Sequence, residues 1–151
     1  MDKKKLLKIL ILILWMGIIF AFSHQPNSGE ATYNIIEKVL PTVQTNSLIE
    51  AINFIIRKSA HLTEYFILTL LIVSLLNEYT KNDRKIIIIS IMICFLYAIT
   101  DEYHQFFVIG RTSSFRDVLI DTSGGLLFII SYIIYKLKYK KIDSSKSNET
   151  K

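Results

Sequence analysis

The sequence predicts an all-α integral membrane protein, a bundle of four transmembrane helices. Three observations support this class: 51% of the residues are hydrophobic, the mean hydropathy is +0.38, and the apolar residues are concentrated in four separate stretches with basic residues beyond their ends. This composition excludes an ordinary water-soluble domain. The net charge of +5 does not indicate nucleic-acid binding, because the excess basic residues flank the apolar stretches.

The four apolar stretches are Leu6 to Phe22, about 59–76, Ile86 to Thr100 with a polar extension to Phe107, and Val118 to Tyr135. A helix needs about 20 residues to cross a hydrocarbon core of about 30 Å. The first stretch is slightly short by itself, and the middle two must carry polar ends partly into the bilayer.

The distribution of basic residues predicts that both termini lie inside. With this orientation 13 of the 18 basic residues are cytoplasmic, as the positive-inside rule requires. Four of the other five belong to polar clusters at the predicted outer ends of the helices. These four are Arg57, Lys58, Arg111 and Arg116.

The first outer loop is predicted to hold two short amphipathic helices, Glu30 to Leu40 and Ser47 to Ile56, separated by the helix-breaking Pro41. Apolar residues recur at helical spacing in the second piece, which favours a segment lying on the interface or capping the bundle. We predict one membrane domain over residues 1–141. Polar residues dominate 142–151, which is predicted to be a disordered cytoplasmic tail.

Polar side chains form one stripe on each of the last three spans. Residues three and four positions apart share a helical face, so each set points in one direction. Counted inward at about 1.5 Å per residue, Glu64 lies roughly 10 Å deep, Asp101 roughly 8 Å and Asp121 roughly 5 Å. The stripes are therefore predicted to converge in one layer near the outer surface. They comprise Arg57, Lys58, His61, Glu64 and Tyr65; Tyr97, Asp101, His104 and Gln105, with Glu102 to one side; and Ser114, Asp117, Asp121, Gly124 and Gly125.

Ion pairing between the helices is one interpretation of these stripes. Five carboxylates face four basic side chains, so the cluster could neutralise itself without a ligand. Interhelical polar contacts in membranes are often worth only about 0.6 kcal/mol each, however, and so many charges would stabilise a bundle inefficiently.

A divalent metal site is a second interpretation. His61 with Glu64, and Asp101 with His104, are imidazole and carboxylate pairs at i, i+3, a spacing found in metal sites of helical bundles. Mixed ligands of this kind suit Zn, Mn or Fe better than Mg or Ca. The nearby basic residues oppose a dication.

Anion binding with acid/base chemistry is a third interpretation. Arg111 is able to hold a phosphate or carboxylate group through two parallel hydrogen bonds. A histidine beside a carboxylate is suited to donate or accept a proton. No glycine-rich phosphate loop is present, which makes ATP-driven chemistry a poor explanation.

The order of these motifs resembles the VanZ-like family of bacterial membrane proteins. The resemblance covers about residues 10–130 and rests on the combination of motifs rather than on any one of them. It implies four spans, a location in the bacterial cell membrane as a multi-pass protein, and an association with resistance to the glycopeptide teicoplanin; it implies no particular reaction. The matching residues are Phe22, Ser23 and Gln25; His61, Glu64 and Tyr65; Tyr97, Ala98, Asp101, Glu102, His104, Gln105 and Phe107; and Gly110, Arg111, Asp117, Asp121 and Gly124.

From the stripes and the resemblance together, we expect a cell-envelope protein that binds an anionic membrane lipid or lipid-linked cell-wall precursor at the outer leaflet. The alternatives are an acid/base or metal-dependent enzyme acting on a lipid headgroup, a proton-coupled transporter, and a structural membrane protein. No cofactor is expected apart from a divalent metal. The candidate catalytic residues are His61, Glu64, Asp101, Glu102, His104, Asp117 and Asp121, and the candidate substrate-binding residues are Arg111, Gln105, Lys58 and Arg57.

Overall fold

The computed structural model describes residues 2–39, 46–111 and 113–149, with side chains described as far as Lys138. Every regular element within these ranges is an α-helix, which confirms the predicted all-α class. In chain order the helices are α1 (Lys3–Ser23), α2 (Ser28–Val39), α3 (Asn46–Leu76), α4 (Asp83–Gln105) and α5 (Phe115–Glu149).

Four of the five helices are long and apolar enough to cross a membrane: α1, α3, α4 and the Phe115–Lys138 part of α5. The four predicted spans are therefore confirmed. Each helix is longer than its apolar stretch because flanking polar residues continue it without a break. The inside location of both termini stays a prediction.

Helix α2 confirms the first of the two predicted amphipathic helices, although Leu40, its predicted last residue, lies outside the described residues. The second piece is helical but not separate, because it forms the first turns of α3. No glycine or proline interrupts the chain from Ser47 to Leu76, so nothing ends the helix before the span begins. At about 1.5 Å per residue, α3 is roughly 46 Å long and extends well beyond a hydrocarbon core of about 30 Å.

Helix α2 covers this extension of α3. Ile36 and Ile49 are buried, and the Asn53 side-chain amide donates a hydrogen bond to the carbonyl oxygen of Gly29 (2.9 Å). The extension is thereby fixed to the rest of the first loop.

Helix α3 is central to the bundle and contacts all four other helices. The larger core cluster combines residues of α1, α3, α4 and α5, including Ile19, Leu68, Cys94 and Val118. A smaller cluster of Val73, Ile86 and Ile129 closes the end next to the 77–82 turn. Many large apolar side chains face outward on the four long helices, as expected for contact with lipid.

The 77–82 turn is joined to α1 by a polar contact. The Lys8 ammonium donates hydrogen bonds to the carbonyl oxygen of Ser74 (2.9 Å) and to a carboxylate oxygen of Glu78 (2.6 Å). The hydrogen bond from Lys8 lowers the pKa of the Glu78 carboxyl. This contact fixes the first turns of α1 against the end of α3.

Helices α3 and α5 approach each other closely at Gly124. A Cβ atom at this position would lie 2.2 Å from the backbone oxygen of Leu62. At Gly125, a Cβ atom would lie 2.6 Å from both Cys94 Sγ and Thr69 Oγ1. Only glycine allows the backbones to pack at this distance.

An ion pair joins the same two helices one to two turns away. Lys58 of α3 contacts the Asp117 carboxylate of α5, and the two side chains are 24% and 16% exposed. Both residues were predicted to belong to the functional site, and the structure pairs them with each other.

The backbone of α5 is helical as far as Glu149 and so extends into the segment for which the sequence predicts disorder. The domain boundary at residue 142 stays a prediction. Residues 150 and 151 lie outside the described part of the chain.

We expect Gly124→Ala to lower the free energy of unfolding by about 1–3 kcal/mol, because the new methyl group meets backbone that cannot rotate away. Gly17→Ala is the control, since no atom lies within 4 Å of the position a Cβ would take there. Unfolding of the purified variants in detergent measures both values. A Gly124→Ala protein as stable as Gly17→Ala would contradict the close packing of α3 and α5.

We expect Lys58→Met and Asp117→Asn each to destabilise the bundle, and the double variant to lose less than the sum of the two single losses. The coupling energy should be about 1 kcal/mol, near the upper part of the range for polar contacts between membrane helices. A double-mutant cycle of unfolding free energies in detergent measures it. Additive losses would show that the pair does not stabilise the α3–α5 interface.

Candidate functional site

Polar side chains of three helices meet at the end of the bundle that carries residues 24–27 and 106–111. We call the group formed by His61, Glu64, Asp101 and Asp121 the acidic cluster. Helix α3 contributes the first two residues, and α4 and α5 contribute one carboxylate each.

Atoms able to bind a metal on His61, Asp101 and Asp121 all lie within 4.8 Å of one another. His61 Nδ1 lies 3.6 Å from Glu64 Oε2 and 3.7 Å from Asp121 Oδ1. These separations are too long for direct hydrogen bonds. The predicted convergence of the three stripes is confirmed for these residues.

Two members of the acidic cluster are deeply buried, with Asp101 2% and Asp121 1% exposed, whereas the side chains of His61 and Glu64 are each 15% exposed. Several buried atoms of the cluster have no hydrogen-bond partner within the described ranges. Buried polar atoms normally have partners, since leaving one unpaired costs several kcal/mol. Such unpartnered atoms indicate a site for a water molecule, an ion or a ligand. The unpartnered atoms are His61 Nδ1, Glu64 Oε2, Asp101 Oδ1 and Asp121 Oδ2, together with the nearby Tyr65 hydroxyl.

Tyr65 is fully buried in the core, 0% exposed. Tyr97 is also turned inward, and its hydroxyl donates to the carbonyl oxygen of Met16 (2.6 Å). Tyr103 is 69% exposed, in keeping with an interfacial aromatic residue.

Helix α1 also contributes to the site, through Ser23. This residue is 0% exposed, and its hydroxyl lies beside the Asp101 carboxyl without meeting the geometry of a hydrogen bond. Trp15 Nε1 donates to the backbone oxygen of Glu64 (3.0 Å). Neither residue was among the candidates, although Ser23 was part of the motif that resembles the VanZ-like family.

Gln105 positions Asp101. Its amide nitrogen donates to Asp101 Oδ2 at 3.1 Å, and the Gln105 side chain is buried. Asp101 and Gln105 are one turn apart on α4. Asp101 Oδ1 takes no part in this hydrogen bond and has no partner among the described residues. The residue predicted to bind substrate thus contacts another member of the site.

Glu102 joins α4 to the start of α5. Its carboxylate accepts from the Ser114 backbone N–H (3.0 Å), and its backbone oxygen accepts from the Ser113 hydroxyl (2.8 Å). The Ser114 hydroxyl accepts from the Arg116 N–H and so caps the start of α5. The Asp117 carboxylate pairs with Lys58.

His104 faces α1 rather than the acidic cluster. Its Nε2 lies 3.0 Å from His24 Nδ1, and its ring packs on Phe20 with the ring centres 4.2 Å apart. The predicted pairing of His104 with Asp101 in a metal site is therefore wrong. Its partner, His24, caps the C-terminal end of α1.

The arginines near the site are not neutralised by carboxylates. Among the described residues, no carboxylate oxygen lies within 4.0 Å of Arg57, Arg111 or Arg116. The predicted network of ion pairs among all these charges is thus reduced to the Lys58–Asp117 pair and the His61 contacts.

Arg111 holds the last turn of α1 against the loop after α4. It donates hydrogen bonds to the backbone oxygens of Phe22 (2.7 Å) and Gln25 (3.3 Å). Burial lowers the pKa of Arg111, and the charge of Arg57 lowers it further. A guanidinium group nevertheless stays protonated in proteins, so two like charges persist here.

A small cavity of about 180 Å³ gives access to Asp101 from between α1 and α4. It is lined by Phe20, Tyr97, Thr100 and Asp101. Pockets for drug-sized ligands are roughly 300–1,000 Å³. The cavity therefore suits a fragment such as a headgroup substituent or a few water molecules.

Comparison with known proteins identifies the family. No curated protein and no solved structure matches the chain. The family model described as VanZ/LLP1 matches residues 8–136. That range covers most of each of the four long helices, the acidic cluster and the unpaired arginines, and the chain therefore belongs to the VanZ/LLP1 family.

Proposed function

We propose that this VanZ-like protein binds the anionic headgroup of a membrane lipid or lipid-linked cell-wall precursor at the outer leaflet of the bacterial cell membrane. We further propose that this binding contributes to reduced susceptibility to teicoplanin. The observation that carries the proposal is the pair of arginines, Arg57 and Arg111, without carboxylate partners at the same end of the bundle as the acidic cluster.

Arg57 and Arg111 retain unused hydrogen-bond donors. A guanidinium has five N–H donors, and Arg111 uses two of them on backbone oxygens. Arg57 lies against Gly29, in the first turn of α2. A Cβ atom added to Gly29 would lie 2.9 Å from Arg57 Nη1. The N-terminus of a helix carries partial positive charge, which adds to the attraction for an anion.

The two arginines also repel each other. The charge of Arg57 lowers the pKa of Arg111, so the two groups are electrostatically coupled. A phosphate group between them would relieve this repulsion and accept charge-assisted hydrogen bonds from both. Lys58 is less available for this purpose, because Asp117 already neutralises it.

Acid/base chemistry on the bound headgroup is the second candidate function. It is favoured by the contacts of His61 with Glu64 and Asp121, which place two carboxylates beside the same imidazole nitrogen, Nδ1. A histidine in this position is suited to transfer a proton. His61, Glu64 and Asp121 are the residues we assign to this chemistry.

Transport across the membrane is less well supported. Beyond the acidic cluster, Gly125 packs against Cys94 and Thr69, and Val73, Ile86 and Ile129 fill the next layer. The Thr69 hydroxyl bonds to the carbonyl oxygen of Tyr65 in its own helix. This packing favours a site that opens at one end over a continuous polar path.

We expect purified protein in nanodiscs to bind lipids with phosphate headgroups that carry net negative charge. The probes are undecaprenyl diphosphate and phosphatidylglycerol, with zwitterionic phosphatidylcholine as the neutral comparison. Arg57→Ala should weaken binding about 10-fold or more, because a hydrogen bond to a charged group is worth about 1.5–3 kcal/mol. Arg116→Ala is the matched control, since Arg116 is exposed at the start of α5.

Equal binding of the neutral lipid, or equal losses in Arg57→Ala and Arg116→Ala, would contradict the arginine site. Arg57 is the preferred position for this test, because Arg111 also joins α1 to the loop and its removal would disturb the fold.

We expect expression of the wild-type protein in a susceptible bacterial host to raise the inhibitory concentration of teicoplanin at least 2-fold over an empty vector. Arg57→Ala should abolish the increase at unchanged abundance in membranes, measured by immunoblot, while Arg116→Ala should retain it. An increase retained by Arg57→Ala would separate resistance from anion binding, and no increase with wild-type protein would exclude the resistance role in that host.

A further inference from the structure

We propose that the acidic cluster is a divalent metal site in which His61, Asp101 and Asp121 are the protein ligands. This site differs from the arrangement expected from sequence, which paired Asp101 with His104. It does not depend on the anion-binding function proposed above, because it uses no arginine.

The arrangement of ligand atoms fits a metal ion. His61, Asp101 and Asp121 come from three helices, and their ligand atoms lie within 4.8 Å of one another. Two ligands bound to a tetrahedral metal at 2.0–2.2 Å are roughly 3.4 Å apart. His61 Nδ1 and Asp121 Oδ1 are 3.7 Å apart, too far for a hydrogen bond but close to the separation of two metal ligands.

The buried unpartnered atoms are the second, independent indication. Asp101 Oδ1 and Asp121 Oδ2 have no hydrogen-bond partner among the described residues, and both side chains are at least nine-tenths buried. Two such carboxylates cannot remain ionised side by side without compensation. A dication between them would supply it.

One of the basic residues that opposed a metal at the sequence level is neutralised, because Lys58 forms an ion pair with Asp117. Arg111 directs two of its donors toward the backbone of α1. No Lys or Arg side chain within the described ranges forms an ion pair with the acidic cluster. The repulsion against a dication is thus reduced by the charge of Lys58, whereas Arg57 and Arg111 keep theirs.

The ligand set also indicates the kind of metal. One imidazole and two carboxylates suit Zn, Mn or Fe(II), whereas Mg and Ca prefer oxygen ligands alone. Three protein ligands leave a coordination position open, as in catalytic zinc sites. The carboxylate of Glu64 is 3.6 Å from His61 and lies beside the site.

Gln105 is the expected outer partner. Its hydrogen bond to Asp101 Oδ2 holds the carboxylate in place and leaves Oδ1 for the metal. Metal-binding carboxylates are commonly oriented by such hydrogen bonds.

The experiment is metal analysis of the full-length protein in detergent after loading separately with Zn²⁺ and Mn²⁺ and removing the excess by dialysis. We expect about one equivalent of at least one of these ions in wild-type protein. Asp101→Asn and Asp121→Asn should each lower the content at least 10-fold. Asp83→Asn, a carboxylate at the opposite end of the bundle that pairs with Lys136, should retain it.

Loading with Co²⁺ gives a second readout that does not depend on analysis of total metal. A d–d absorption band that titrates to one equivalent in wild-type protein and is absent in His61→Gln supports the imidazole ligand. Size-exclusion profiles establish that the variants are folded; if either Asp variant is not, the His61→Gln spectrum decides.

Less than about 0.1 equivalent in loaded wild-type protein, or full occupancy in both Asp variants, would overturn the proposal. Lipid binding measured in the presence of EDTA keeps the test of the metal site separate from the test of anion binding. Anion binding that survives EDTA with no metal content refutes the metal site alone, whereas metal content without lipid binding refutes the anion site alone.

Discussion

The cost of placing charged groups in a low-dielectric interior is the constraint on which this structure depends. A carboxylate facing lipid is expensive, so the acidic side chains of α4 and α5 must turn toward neighbouring helices. This requirement fixes the rotation of each helix about its own axis. The central position of α3, which contacts all the other helices, likewise keeps His61 and Glu64 away from lipid. The glycines of α5 then allow the approach that brings Asp121 to His61.

The fold was largely predictable because hydropathy and helical periodicity are local signals. Four apolar stretches predicted the four helices that are long and apolar enough to span a membrane. The continuity of α3 was less visible. Its first turns are amphipathic and the following residues are apolar, and this change in pattern suggested two elements. Helix breaks require glycine, proline or a competing cap, and the sequence offers none at that point.

The site was predictable only in part. Shared depth and face brought His61, Asp101 and Asp121 together correctly, since those depend on helical geometry. Pairings that depend on the rotation of adjacent helices were not predictable: His104 contacts His24, and Asp117 contacts Lys58. Ser23 was not a site candidate because a serine at the end of an apolar run is indistinguishable from an exposed one until α1 is docked. Glu102 was a candidate, but its contact was not predictable, because its partner is a backbone N–H that no side-chain pattern reveals.

The unbroken course of α3 has a mechanical consequence. The first turns of α3, which α2 covers, and the turn that carries His61 belong to one continuous helix. The turns that α2 covers and the turn that carries His61 therefore keep a fixed separation along one helical axis. The docking of α2 and the placement of His61 beside Asp121 thus both depend on the position of a single helix.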